Sequence, residues 1–328
     1  MRKIVGTFLI FNFSSLISFT QVAPTPAKQR MDGFAQRKKL EAASLVSNIP
    51  FRSVGPTIMS GRIVDMEVSP ADATKFYVAY ASGGLWKTEN NGQSFAPLFD
   101  KEAVMTIGDF AVDWNHQQTI WIGTGECNSS RSSYSGVGVF KSADGGKTWE
   151  HKGLEETQHI GKILLHPTDP NTIFVGAIGH LFSANKERGV YKTTDGGKTW
   201  KQTLFIDENT GVIDMAMDTS NPNILYAAAW QRERRAWNFE EGGKSSGIYK
   251  STDGGNTWAL ITTPKSGFIC GEGTGRIGLS IYPKNPNIIY AIVDNQNRRA
   301  EEKKNADKDK LTKKQRSEER RVGKECRL

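Results

Sequence analysis

The sequence predicts an all-β fold, a β-propeller of four-stranded blades with four complete blades and the start of a fifth in a truncated array. Three observations lead there. First, "KSADGGKTW" at 141–149 returns as "KTTDGGKTW" at 192–200 and "KSTDGGNTW" at 250–258, with a worn copy, "KTENNGQSF", at 87–95. Repeats spaced by 50–60 residues match a propeller blade and exceed the usual helical repeats. Second, runs such as "RIVDMEVSP", "TIGDFAVDW" and "GVIDMAMDT" alternate apolar and polar residues, the period of half-buried strands. Third, each run is followed by a Pro- or Asn-rich turn and a second strand, then by a strand entering the repeated motif and one leaving it. Four strands per unit make a blade.

Taken in order, residues 1–23 open with Arg2 and Lys3, an apolar core from Ile4 to about Ile17 and small residues at Val22-Ala23. That pattern predicts a signal peptide, and hence a secreted or periplasmic protein. Residues 24–50 read as a linker in which "RMDGFAQRKKLEAASLV" forms one short helix. Residues 51–297 hold blades 1–4 and the first strands of blade 5. After "NPNIIYAIVD" the phase of the repeat calls for another motif hairpin, but residues 298–328 instead carry 13 Lys/Arg and 7 Asp/Glu with few apolar residues. Such a tail cannot pack as a blade and reads as disordered or non-native. The expectation is an amino-terminal fragment, with further blades of the same chain to follow.

The net charge of +8 comes from the two ends, so the basic balance is no nucleic-acid footprint. No segment after the amino-terminal run is long and apolar enough to span a membrane. Three cysteines, Cys127, Cys270 and Cys326, do not make a disulfide-stapled fold. The five histidines show no metal-ligand spacing, and the Gly pairs follow an Asp in a hairpin, where no phosphate is cradled. No metal and no cofactor is expected.

The repeated motif assigns its own role. Two glycines permit positive φ in a tight turn, and the Asp (Asp144, Asp195, Asp253) accepts backbone N–H groups to fix it. Trp149, Trp200 and Trp258 supply large apolar faces for the neighbouring blade. A catalytic acid is needed once, whereas a turn is needed in every blade, so these residues are structural.

These residues resemble the Asp-box, or bacterial neuraminidase repeat, of sialidases, sortilin-type receptors, a photosystem II assembly factor and xyloglucanases. "FRSVGPTIMSGRIVDMEV", "ASGGLWKTENNGQSF", "GTGECNSSRSS" and "GGKSSGIYKSTDGG" are similar to the amino-terminal part of large secreted repeat proteins labelled sortilin-like or glycosyl hydrolase. The resemblance implies either ligand recognition or glycoside hydrolysis. Against the xyloglucanase pattern the chain departs at "YVAYASGG", where Ala81 stands in place of a catalytic Asp. "FRSV" at 51–54 shares only Phe51 and Arg52 with the early arginine motif of sialidases. No catalytic residue is assigned on either pattern.

Function is expected on the face opposite the Asp-box turns, where loops joining strands two and three are long and chemically mixed. They carry the candidate ligand-binding residues Glu126, Arg131, His180, Arg188, Trp230, Arg232, Arg235 and Trp237. An Arg- and Trp-bearing rim suits a protein, peptide or carbohydrate partner. The preferred reading is an exported recognition or scaffold module. The alternative is a xyloglucanase- or sialidase-like hydrolase with part of its site on other blades. Asp65, Asp109 and Asp214, on successive first strands, read as polar contacts between blades.

Overall fold

The structure, a computed structural model, describes residues 24–49, 61–115, 119–128, 133–235 and 237–297. The expected signal peptide, Arg131, Cys326 and the charged tail lie outside the described residues. A helix, α1 (Ala27–Ala42), precedes the strands.

Blade 1 is β1 (Ile63–Val68), β2 (Phe76–Tyr80), β3 (Gly84–Thr88) and β4 (Ala96–Pro97). Blade 2 is β5 (Ile107–Asp113), β6 (Thr119–Thr124), β7 (Val139–Ser142) and β8 (Glu150–His151). Blade 3 is β9 (Ile160–Leu165), β10 (Ile173–Ala177), β11 (Gly189–Thr193) and β12 (Lys201–Leu204). In blade 4, β13 (Thr210–Met217) and β14 (Leu225–Gln231) precede a small hairpin, β15 (Glu233–Arg234) with β16 (Phe239–Glu240), and β17 (Gly247–Ser251) and β18 (Ala259–Leu260) complete the sheet. Blade 5 contributes β19 (Thr274–Ile281) and β20 (Ile289–Asn295). Every pairing is antiparallel and follows chain order within its blade. The fold is the propeller the repeat predicts.

The core sits between blades. Each of four apolar clusters joins neighbouring sheets; one packs Trp121 and Val139 of blade 2 on Ile160, Ile173 and Val175 of blade 3. A blade is two-faced, so its apolar residues need the next blade to be buried, and stacking supplies the stability. Close approach between sheets also selects glycine: a Cβ on Gly108 would lie 1.9 Å from the Ile160 carbonyl oxygen.

A register shift interrupts the pairing of each first strand near its start, between Ile63 and Asp65, Ile107 and Asp109, and Val212 and Asp214. Such bulges re-aim the side chain that follows. Here they turn Asp65, Asp109 and Asp214 into the central channel.

Candidate functional site

On one face, the Asp-box turns repeat nearly the same bonds. Asp144 Oδ1 accepts the backbone N–H groups of Lys147 (3.0 Å) and Thr148 (2.9 Å), and Oδ2 accepts the Thr148 hydroxyl (2.6 Å). Asp195 accepts the equivalent N–H groups of Lys198 (2.9 Å) and Thr199 (3.0 Å), and Asp253 those of Asn256 (3.0 Å) and Thr257 (2.9 Å). Hydrogen bonds from Thr148 hold the Asp144 carboxyl down to about 2. Those from Thr199 and Thr257 put Asp195 and Asp253 lower still. The paired glycines have positive φ, for instance 71° and 79° at Gly196 and Gly197. In blade 1, Asn90 Oδ1 accepts the Ser94 N–H (3.0 Å) and Asn91 takes the left-handed conformation that glycine takes elsewhere. Each carboxylate is used up by its own turn.

The opposite face carries the loops β6–β7, β10–β11 and β14–β17, and α1 lies against it. Glu156 Oε1 accepts the Ala27 N–H (2.7 Å), and Arg30 donates to the carbonyls of Gly136 and Glu155. Farther along, Arg37 donates to the Lys101 carbonyl (2.7 Å). The helix therefore spans the loop ends of blades 1 and 2.

The residues expected on an exposed rim divide into two sets, and four of them, Arg188, Trp230, Arg232 and Glu126, are buried and require correction. Arg188, Arg232 and Trp230 are buried at 1%, 0% and 1% exposure. Arg232 donates to the carbonyls of Cys127 (3.1 Å) and Asn128 (3.2 Å), so a blade 4 side chain holds a blade 2 loop across the channel mouth. Its guanidinium lies over the rings of Trp230 (4.7 Å) and Phe239 (5.3 Å). Arg188 donates to the carbonyls of Asn209 (2.9 Å) and Arg232 (3.3 Å). Burial draws both guanidinium pKa values down to about 10. The Trp230 indole N–H donates to the Glu241 carbonyl (2.7 Å). A planar guanidinium with five donors suits loop carbonyls that have no strand partner, which puts these arginines inside.

Glu126 is buried too, paired with the half-exposed Arg62. His180 Nε2–H donates to the Glu156 carbonyl (2.9 Å), the residue that also receives α1. Next to these loops His159 is buried, with Nδ1 at 3.0 Å from the Gly179 carbonyl; burial pulls its pKa down to about 3, so it is neutral. The exposed set is Arg235, bonded through Nε to Glu233 (2.6 Å), and Trp237, 77% exposed at the turn of the β15–β16 hairpin.

Two concavities open on this face and channel. The channel holds a cavity of about 180 Å³ lined by Asp65, Asp109, Lys162, Asp214 and Arg276. Lys162 takes the channel position in blade 3, with Nζ 3.0 Å from Asp109 and 3.6 Å from Asp65. Burial opposes the charge on Lys162, but Asp109 and Asp65 outweigh it and hold the ammonium above the ordinary lysine value. Burial raises Asp109 well above the usual carboxylate range despite the pull of Lys162. Asp109 Oδ2 accepts the Ile163 N–H (2.6 Å) and Asp214 Oδ2 the Leu279 N–H (2.8 Å). Both carboxylates thus bind a blade to its successor, and the channel is a fastening.

The second concavity is an open basin of about 660 Å³ between blades 4 and 5, lined by Gln231, Phe239, Glu240, Glu241, Glu272, Asp294 and Gln296. Lys244 reaches Glu272 at 3.0 Å. Burial raises the Glu241 carboxyl, against the pull of Arg232 and with the help of Asp294. Strand β16 forms one wall, and Trp237 lies two residues before it, in the hairpin turn. Sequence reasoning missed this basin. Its only local signal is "NFEEGG" after an exposed Trp, while Glu272 and Asp294 come from blade 5 and join it only in three dimensions.

Among known proteins, the Sortilin-Vps10 family model, described as "Sortilin, neurotensin receptor 3", matches residues 138–324. A xyloglucanase of a Paenibacillus species is 21% identical over 276 residues, 76% of this chain and 26% of that protein. Xyloglucanase Xgh74A of Acetivibrio thermocellus is 25% identical over 241 residues, 65% of this chain and 26% of its own length. The chain thus spans about a quarter of the length of these curated relatives. The crystal structure of an ancestral GH74 enzyme superposes with a TM-score of 0.50 at 18% identity, over 70% of this chain and 29% of that one, a likeness of fold. With the family model covering more than half of its residues, the chain belongs to the Sortilin-Vps10 family, as a propeller of Asp-box blades.

Proposed function

We propose that this chain is an exported recognition module that binds a glycan at the basin between blades 4 and 5. The observation that carries this reading is the basin of carboxylates and side-chain amides, with Trp237, 77% exposed, in the hairpin turn two residues before its wall residue Phe239. An exposed indole offers a flat apolar surface to the C–H face of a sugar, and carboxylates and amides accept and donate hydrogen bonds to its hydroxyls. The matched relatives are named as xyloglucanases, which makes xyloglucan the first ligand to test. Glu126 is engaged by Arg62 and Glu233 by Arg235; in the basin Glu272 is engaged by Lys244, while Glu240, Glu241 and Asp294 line the opening.

A second reading, glycoside hydrolysis, would use the carboxylates that line the same basin, Glu240, Glu241, Glu272 and Asp294. Incubation of the full chain with xyloglucan oligosaccharides separates the two. Retention on a glycan array without turnover supports recognition. Turnover abolished by Glu241→Gln supports hydrolysis and overturns the preferred reading. Retention on peptide arrays alone removes the glycan assignment.

A further inference from the structure

One strand position recurs in four blades: Asp65 on β1, Asp109 on β5, Lys162 on β9 and Asp214 on β13. Each follows a register shift and stands opposite a small residue of strand two, Ala79, Gly123, Gly176 and Ala228 in turn. Three blades thus offer a carboxyl at this position, and blade 3 alone among them offers an amine. Lys162 Nζ lies 3.0 Å from Asp109 Oδ1 and 3.6 Å from Asp65 Oδ2.

An ion pair is the ordinary outcome of such an arrangement, but three features here go beyond what an ion pair needs. Asp109 is 3% exposed, burial keeps its carboxyl well above the usual carboxylate range, and it is hydrogen-bonded to the Asp65 carboxyl. Its Oδ2 accepts the Ile163 N–H at 2.6 Å, a fixed backbone donor placed where negative charge would develop on that oxygen. With Oδ1 at 3.0 Å, Nζ needs little movement to reach the carboxyl carbon at about 3–3.5 Å, the separation from which such attacks proceed.

We propose that Lys162 and Asp109 are a modification site, at which an amide bond forms between the two side chains and joins blade 3 covalently to blade 2, with Asp65 carrying the protons. The ammonium of Lys162 first passes a proton to Asp65, and the neutral amine attacks Cγ of the protonated Asp109. A tetrahedral centre forms, with its Oδ2 held by the Ile163 N–H. The Cγ–Oδ1 bond then breaks. Asp65 protonates the departing hydroxyl and takes the second proton from the nitrogen, so that one water leaves and Asp65 ends neutral. No oxidant, reductant or cofactor enters the balance. The product also removes an ammonium whose charge burial opposes. Only blades 1 to 3 take part, and the site is independent of the glycan reading of the basin.

The test is the intact mass of the full chain after prolonged incubation at neutral pH, followed by peptide mapping. The chain is expected to weigh about 18 Da less than its sequence requires, with the Lys162 peptide joined to the Asp109 peptide. Lys162→Met keeps its full mass. Asp109→Asn links with loss of ammonia, about 17 Da, which an ion pair alone does not give. Asp65→Ala, with its fold checked by circular dichroism, links about a hundredfold more slowly, and Asp65→Glu, which keeps the acid, recovers part of the rate. The proposal is overturned if the folded wild type keeps its full mass. It is also overturned if the lost water maps to a succinimide at Asp144, Asp195 or Asp253, or if Asp65→Ala links as fast as the wild type.

Discussion

The two faces of this propeller are built on opposite plans. On the Asp-box face, Asp144, Asp195 and Asp253 make the same bonds three times over, each within its own turn. On the loop face no two loops are alike, and their polar side chains reach across blades, as Arg232 does from blade 4 to Cys127 of blade 2. Repetition marks a local task that every blade must perform. The unrepeated loops hold the long-range clamps, an exposed indole at Trp237 and part of the wall of a basin of carboxylates and amides.

Substitutions can break this comparison. The largest loss of stability is expected at Trp200→Ala, which removes an indole packed between blades 2 and 3 together with its bond to Lys152; about 3 kcal/mol is expected from denaturant unfolding. Arg232→Ala comes next, at about 2 kcal/mol by the same measurement. It leaves the carbonyls of Cys127 and Asn128 without their donor, and it should loosen the loop face while the Asp-box turns stay intact.

Acidification sharpens the contrast. His159 has a pKa lowered to about 3 by burial, below the ordinary value of about 6.5 in the unfolded chain. The unfolded state therefore binds the extra proton first, and stability falls as pH drops from about 6.5 toward 3. His159→Gln should flatten the melting temperature over that window. Asp144, held down to about 2, contributes stability above the unfolded value of about 3.9 and loses it as pH falls through about 2. Asp144→Ala should therefore lower the melting temperature at pH 7 and cease to matter in strong acid; an unchanged melt at pH 7 would remove the structural role of the turn. The smallest change in stability belongs to Trp237→Ala, whose side chain is exposed.

The fold was legible because its signals are periodic. The Asp-box and the alternating strands both follow from spacing, and spacing survives the absence of any contact information. The site was legible only in part. Trp237 and Arg235 are exposed on the β14–β17 loop, but Glu126, Arg188, Arg232 and Trp230 read as rim residues and are buried. A loop arginine beside glutamates looks solvated in a linear sequence. Only the folded chain shows that the partners are main-chain carbonyls from blades 2, 3 and 4. The basin was hidden for the same reason, since Glu272 and Asp294 belong to a different blade from Glu240 and Glu241.

The measurement that tests the central claim most directly is calorimetric titration of xyloglucan oligosaccharides into three proteins at one temperature below their melting points: the wild type, Trp237→Ala and Asp144→Ala. The account predicts binding by the wild type, a loss of about tenfold or more in Trp237→Ala and unchanged affinity in Asp144→Ala. Absence of binding by the wild type, or equal losses in both variants, would contradict it.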